Sequence, residues 1–258
     1  MALAEHGARV AVWDVNAAGA EETAALVRAV HGGTGEARVY VADVTDSAKV
    51  YALAEDVARD FGKPCSLLIN NAGIVGGKPL LQEPDAKIRL TFNVNALAHF
   101  WTVKAFLPAM LEANFGHVVT IASAAGMCGV PNLTDYCASK WAAMGFDEAL
   151  RQELFALGKT GVKTTCVCPY YINTGMFDGV STRFPLLLPI LDPKHVVAKI
   201  VTAIKRGDPL LCMPPLVYAT PLLKGLLPVG VNDAIQRLLG INASMDDFIG
   251  RDGKKIKH

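Results

Sequence analysis

Short runs rich in β-branched residues alternate with longer stretches of helical period along nearly the whole chain, and this alternation confines the fold to one class. A-R-V-A-V-W-D (8–14), A-R-V-Y-V-A-D (37–43), S-L-L-I-N-N-A-G (66–73), H-V-V-T-I-A-S (117–123), V-K-T-T-C-V-C (162–168) and L-L-C-M (210–213) read as strands, the third running into a turn. Between them lie an alanine-rich helix with Asn16 as its N-cap, the amphipathic S-A-K-V-Y-A-L-A-E-D-V-A-R-D-F, a long helix from roughly Lys87 to Leu111, a helix after Leu133 and another from about Pro193. Apolar strands separated by helices belong to a parallel sheet buried on both faces. The expectation is an α/β, doubly wound parallel sheet with helices on both faces. The 258 residues suit one domain, 1–258, within which 175–258 forms a substrate cover and an apolar C-terminal extension.

Composition narrows the partners. A formal net charge of +1 leaves no electrostatic footprint for nucleic acid, and no Lys/Arg run interleaves with aromatic residues. The basic tail Lys254, Lys255, Lys257 is short and reads as a solvated end or a weak membrane-surface contact. Six cysteines, at 65, 128, 137, 166, 168 and 212, form no C-x-x-C and no paired Cys/His spacing. They read as reduced thiols packed as small hydrophobes, with no metal expected. The opening M-A-L-A-E-H-G-A-R-V has none of the layout of a signal peptide. The apolar stretch around 209–229 is broken by Pro214, Pro215, Pro221 and Pro228, so an interfacial or substrate-covering role is expected in place of a membrane span.

In such sheets ligands bind beyond the carboxyl ends of the strands, and the chemically suggestive residues fall there. Asp14 closes the first strand; its carboxylate either accepts the ribose hydroxyls of an adenosine or serves the turn before Asn16. Asp43 either positions an adenine edge or caps the next helix. Asn70-Asn71-Ala72-Gly73 offers small residues where backbone can approach a cofactor, and an asparagine able to tie neighbouring strands. Ser123 stands thirteen residues before Tyr136 and can hold a substrate oxygen, or simply make a tight turn. Tyr136 and Lys140 are four apart, so on a helix they face one site. A phenol of ordinary pKa about 10 is a poor base near neutrality, and an adjacent ammonium draws it down. The competing reading is a lysine stem laid along a half-buried ring.

The ordered set N-N-A-G, Asn95 in F-N-V-N-A-L-A-H-F-W, and Ser123, Tyr136 and Lys140 at S-x12-Y-x-x-x-K resembles the short-chain dehydrogenase/reductase family over nearly the whole chain. W-T-V-K-A-F-L-P-A-M, G-H-V-V-T-I-A-S-A-A-G and G-V-K-T-T-C-V-C-P are similar to its membrane-associated retinol dehydrogenase and 17-beta-hydroxysteroid dehydrogenase 11-like subgroup. The resemblance implies a Rossmann-like fold and hydride transfer between NAD, or NADP, and a lipophilic alcohol or carbonyl such as a retinoid, steroid or long-chain alcohol. Asn95, Ser123, Tyr136 and Lys140 would be the catalytic residues. Tyr136 exchanges the proton, Lys140 lowers its pKa and holds the nicotinamide ribose, and Ser123 orients the substrate oxygen. Asn95 bends its helix and holds a relay water; otherwise it is a helix asparagine bonded to its own backbone. The cofactor would meet Asp14, Asp43, Asn71, Ala72, Gly73, Tyr136, Lys140, Pro169 and Thr174. In Pro169-Tyr170-Tyr171-Ile172-Asn173-Thr174 the family's proline and threonine are kept, but Tyr170 stands where a glycine is usual and narrows the cofactor end. Peripheral contact at the cytoplasmic face of the endoplasmic reticulum or a lipid droplet, and a homodimer through the helices carrying Asn95 and Tyr136, are also implied.

The family's T-G-x-x-x-G-x-G phosphate loop has no counterpart in this sequence, and the glycines of H-G-G-T-G-E and G-I-V-G-G-K stand in other places. The expected fold therefore lacks the family's first strand and glycine-rich loop, with two unpaired strand edges. The reading is that the sequence starts downstream of the full chain's beginning; the alternative is a catalytically silent relative that binds a lipid surface or a partner. A sugar-nucleotide epimerase sharing Y-x-x-x-K is a third reading, one that usually requires a longer C-terminal domain.

Overall fold

The computed structural model describes residues 1–30 and 36–250. The glycines of 31–35 and the basic tail weighed above lie outside the described residues. Six strands follow in order: β1 (Val10–Asp14), β2 (Ala37–Val41), β3 (Leu67–Asn70), β4 (Gly116–Ile121), β5 (Val162–Pro169) and β6 (Leu210–Met213). The helices are α1 (Ala17–Arg28), α2 (Ser47–Phe61), α3 (Asp85–Phe92), α4 (Ala98–Ala113), α5 (Thr134–Ala156), α6 (Pro193–Arg206), α7 (Ala219–Leu226) and α8 (Val229–Leu238).

All paired strands are parallel, but they form two sheets. β1 pairs with β2, and β3-β4-β5-β6 run side by side in that order. Successive side chains of a strand point to opposite faces, which assigns the helices. Ala11, Trp13, Tyr40, Leu68 and Val118 share a core with residues of α2, α4 and α5. Val10, Val12 and Val39 pack on α1, while Val119, Val167 and Ile69 pack on α6. Strands covered on both sides need apolar residues at consecutive positions, and Val118 and Val119 are both wholly buried. Each such valine contributes about 2 kcal/mol by leaving water.

β1 and β3 belong to different sheets, yet Asp14 at the carboxyl end of β1 and Asn71 just past β3 line one cavity. A crevice thus lies at the carboxyl ends of the two strands. The edges of β1 and β3 away from their partners carry no strand among the described residues. Trp13, with its ring centre 5.7 Å from that of Phe106, nevertheless joins the small sheet to the core under the large one.

The long helix expected from Lys87 to Leu111 is interrupted. Between α3 and α4, residues Asn93–Leu97 form a π-helical turn that contains the buried Asn95. The reason lies outside the helix. Asn95 is drawn toward the loop after β3, and one widened turn accommodates it.

Candidate active site

The crevice opens into a cavity of about 430 Å³ whose wall includes Asp14, Asn71, Ala72, Gly73, Ser123, Tyr136, Lys140, Pro169 and Thr174. Nine sequence-selected positions from five separate segments thus face one space. Asn95 lies buried beneath its wall, and Asp43 is not among the lining residues.

Tyr136 and Lys140 sit in the first two turns of α5, whose entrance is held by Leu133, itself buried. The i, i+4 spacing brings the Lys140 Nζ 5.7 Å from the centre of the Tyr136 ring. The ammonium donates to the Ile121 carbonyl at the end of β4, 2.7 Å away. Ser123, two residues on, starts a 3-10 turn; its Oγ accepts from Ala125 N at 3.1 Å. That bond realises the tight-turn reading, while the same hydroxyl acts on the Tyr136 phenol as a hydrogen-bond partner.

The electrostatics differ from the sequence expectation. Burial pushes the Tyr136 phenol up to about 12, outweighing the opposite pull of Ser123. Burial also draws Lys140 down to about 8, against the raising influence of the Cys166 and Cys168 thiols. Both groups have been taken out of water, and desolvation disfavours whichever form is charged. The ammonium's bond to Ile121 O holds it beside the ring. At neutral pH the phenol therefore holds its proton and can donate it to a carbonyl oxygen.

Asn95 is wholly buried, and its amide is used in full. Oδ1 accepts from Ile74 N at 2.9 Å, and Nδ2 donates to Ile74 O at 2.9 Å and to Ser139 Oγ at 3.0 Å. These bonds leave its own helix, unlike the backbone-bonded alternative. Ser139 in turn donates to Tyr136 O at 2.8 Å. A Cβ placed on Gly73 would stand 3.6 Å from Asn95 Oδ1 and 3.7 Å from Lys140 Nζ, so the N-N-A-G turn lies directly against both. Asn70 does not tie strands together; its Oδ1 accepts from Thr102 Oγ1 on α4 at 2.7 Å.

At the other end of the cavity Asp14 closes β1, with Oδ1 accepting from Asn16 N at 2.9 Å. It serves the turn and faces the cavity together. Asp43 is drawn into its own turn instead: Oδ1 accepts from Thr45 N at 2.9 Å and Thr45 Oγ1 at 2.7 Å, and these bonds lower its pKa. The cap of α2 is Asp46, not Asp43. Pro169 ends β5, and the Tyr170 amide bonds Met213 O at 2.7 Å, fixing the path past β6. The Tyr170 ring, in place of the usual glycine, packs 4.6 Å from Tyr171.

Residues outside the sequence selection complete the wall. Tyr171 and Phe177 lie near Tyr136, and Leu188, Leu216, Val217, Leu223, Leu239 and Ile241 make the far part aliphatic. The greasy composition of 175–258 was the available signal; which of its residues turn inward was not. Ser139 could have been singled out as the residue preceding Lys140. Among the described residues no three His, Cys, Asp or Glu side chains stand together as a metal site.

A carboxylate at one end of the crevice, small residues in the middle and a phenol, hydroxyl and ammonium at the other suit the ribose and nicotinamide portions of a dinucleotide. A family model described as short chain dehydrogenase matches residues 1–183. The chain is similar to human epidermal retinol dehydrogenase 2, with 45% identity over 98% of this chain and 81% of that protein. Human retinol dehydrogenase 10 is 40% identical over 96% of this chain and 80% of its own. Among solved structures, a short chain dehydrogenase/reductase from Burkholderia phymatum in complex with NAD superposes with a TM-score of 0.72. It is 26% identical and covers 84% of each chain. An alcohol dehydrogenase from Thermococcus sibiricus shares the fold, with a TM-score of 0.69 at 23% identity over 82% of this chain and 88% of that one.

Proposed function

The chain belongs to the short-chain dehydrogenase family, NAD(P)-dependent oxidoreductases of CH–OH groups, and from that premise we propose that it interconverts a lipophilic alcohol and its carbonyl at the Tyr136 end of the cavity. The observation that carries this reading is the meeting of Ser123, Tyr136 and Lys140 with an aliphatic far wall in one cavity. The retinol dehydrogenases it is similar to make a retinoid the first substrate to try, before a hydroxysteroid or a long-chain alcohol.

When bound, the nicotinamide supplies or accepts the hydride. Asp14 would face the adenosine ribose and favour NAD over a 2′-phosphorylated cofactor. Asn71, Ala72, Gly73, Pro169 and Thr174 would border the cofactor, and Lys140 the nicotinamide ribose. The Tyr136 hydroxyl gives its proton to the carbonyl oxygen in reduction and receives it back from the alcohol in oxidation. Ser123 holds that oxygen. Lys140 keeps positive charge beside the phenol, favouring its ionised form in the oxidative direction. Asn95 and Ser139 hold the β3 loop against the start of α5, so that these groups keep their relative places.

The whole chain forms one functional unit in this reading, with 175–258 covering the substrate. No helix among the described residues is long and apolar enough to cross a membrane. Leu222, Leu226, Val229 and Leu238 nevertheless expose apolar surface on α7 and α8, which supports peripheral contact with a lipid surface such as the endoplasmic reticulum or a lipid droplet. Leu97, Phe100 and Trp141 expose apolar surface on the helical segments carrying Asn95 and Tyr136, which supports pairing of two copies there.

The test is NAD-dependent turnover of all-trans-retinol, a hydroxysteroid and a long-chain alcohol, with Tyr136→Phe as the control. Turnover of at least one, lost in the variant, is expected. Activity unchanged in Tyr136→Phe would overturn the assignment of the proton-transfer group.

A further inference from the structure

The last described segment, 244–250, follows a 3-10 turn at Ile241–Ala243 and is bonded to the stretch 178–181. Its buried residues alternate with exposed ones: Ser244, Met245, Phe248 and Gly250 are buried, while Asp246 and Asp247 face outward. A segment that merely trailed over the surface would bury no such set.

Three kinds of contact hold it. The backbone bonds are Ser181 N to Ser244 O at 3.1 Å, Ile249 N to Asp178 O at 2.8 Å and Gly250 N to Asp178 O at 3.2 Å. The side-chain bond joins Tyr171 and Ser244, whose hydroxyl oxygens are 3.0 Å apart. Ser244 Oγ spends its only proton on Ile241 O at 2.8 Å, so Tyr171 is the donor. The packing is close enough to demand glycine at two partner positions. Gly77 and Gly179 both have φ of +87°, and a Cβ on the first would run into the Phe248 ring and on the second into the Asp247 carbonyl.

The aromatic contacts continue to the site. Phe248 lies 6.2 Å from Phe177, which meets Tyr136 edge-on at 5.6 Å and Tyr171 at 5.1 Å, all between ring centres. Phe177, Tyr171 and Tyr136 line the cavity; Phe248 and Ser244 do not. We infer that segment 244–250 is a strap that sets the substrate-facing rings, with Ser244 and Phe248 as positioning residues acting through Tyr171 and Phe177. The inference rests on the reading of this cavity as the place of a lipophilic alcohol. It assigns to the strap the width of the slot next to the Tyr136 hydroxyl.

The experiment uses the full chain, with all-trans-retinol as the probe followed by its own fluorescence, and amide hydrogen exchange. Ser244→Ala removes the acceptor of the Tyr171 hydroxyl, and Ser244→Thr keeps it. In Ser244→Ala, retinol affinity is expected to fall about 10-fold. Exchange at Ser181 and Ile249 rises, exchange at Val118 in the sheet is unchanged, and Ser244→Thr restores the native values. Phe248→Leu, which keeps apolar volume, gives the same pattern through the ring contacts. Faster exchange at Ser181 and Ile249 with unchanged retinol affinity would overturn the inference, leaving the strap a packing element. Weaker retinol binding with unchanged exchange would also overturn it, because Ser244 would then act without the strap. Failure of the native chain to bind retinol would count against the lipophilic-substrate reading, while the exchange data would still decide whether Ser244 secures the strap.

Discussion

Asn95 and Ile74 are joined by two hydrogen bonds of 2.9 Å, the amide of one side chain closing on both backbone groups of the other residue. Side chain and backbone meet as a pair of strands would, so the loop after β3 is stitched to the π-helical turn between α3 and α4. The third bond, to Ser139, extends the stitch to the start of α5, where Tyr136 and Lys140 stand. One buried amide thus fixes the floor of the site from three directions.

Asn95→Ala should therefore lower stability and activity together. It strands the Ile74 amide and carbonyl in a partly buried position, at about 3 kcal/mol. A urea titration should show the midpoint shifted with an unchanged slope, and turnover should fall as the N-N-A-G loop loosens. Stability equal to that of the native chain would show that the loop finds other partners and is not held by Asn95.

Tyr136→Phe removes one hydroxyl from a buried ring and leaves the edge-on contact with Phe177 in place. Loss of a general acid–base group should lower turnover by at least about 100-fold. Retinol binding, measured by fluorescence, should change little. A variant that kept its rate but lost binding would make Tyr136 a wall of the pocket and not its proton donor.

Much of this site was legible in the sequence because it depends on short spacings. Asn70 to Gly73 follow directly on a strand, and Tyr136 and Lys140 share a helix face at i, i+4. The strands were also legible: 8–14 contains β1, and 162–168 gives β5 to within a residue. What escaped depends on contacts between distant positions. The bend at Asn95 follows from the family resemblance, but its Ile74 partner 21 residues away was not legible, nor was the reach of Ser244 to Tyr171 across 73. At Asp43 the local alternative is visible, with Thr45 bonding its Oδ1 through both amide and hydroxyl. The effect of burial on Tyr136 was not legible, because spacing reveals the neighbouring charge but not the loss of water around both groups.

Asp14→Ala tests the far end of the crevice. The carboxylate should repel a 2′-phosphate and accept ribose hydroxyls, so its removal should lower kcat/KM with NAD and raise that with NADP. The ratio of the two is the measurement. An unchanged ratio would confine Asp14 to its turn with Asn16.

Asp147 lies on α5, almost wholly buried, with Oδ1 unpaired among the described residues. Burial raises its pKa to about 6 from 3.8, against the lowering pull of the Thr120 and Thr164 hydroxyls and of Arg151. A raised folded-state value means the native state holds this proton more tightly than the unfolded chain does. The resulting stability is fully present below pH 3.8 and is lost as pH rises through about 6. The nearby His99 has the opposite sign, since burial first and Lys140 second hold it down to about 3. Its contribution is present above pH 6.5 and lost as pH falls. The two slopes oppose one another between pH 3.8 and 6, so the native chain alone would report neither. The difference between Asp147→Asn and the native chain isolates the first. Asparagine mimics the protonated carboxyl, so the two proteins should be equally stable near pH 3.8. Above pH 6 the variant should be the more stable by about 3 kcal/mol, following the shift in pKa. Denaturant titrations across that range supply the curve. A variant less stable than the native chain at neutral pH would mean that the buried carboxylate is favoured in its charged form by its surroundings.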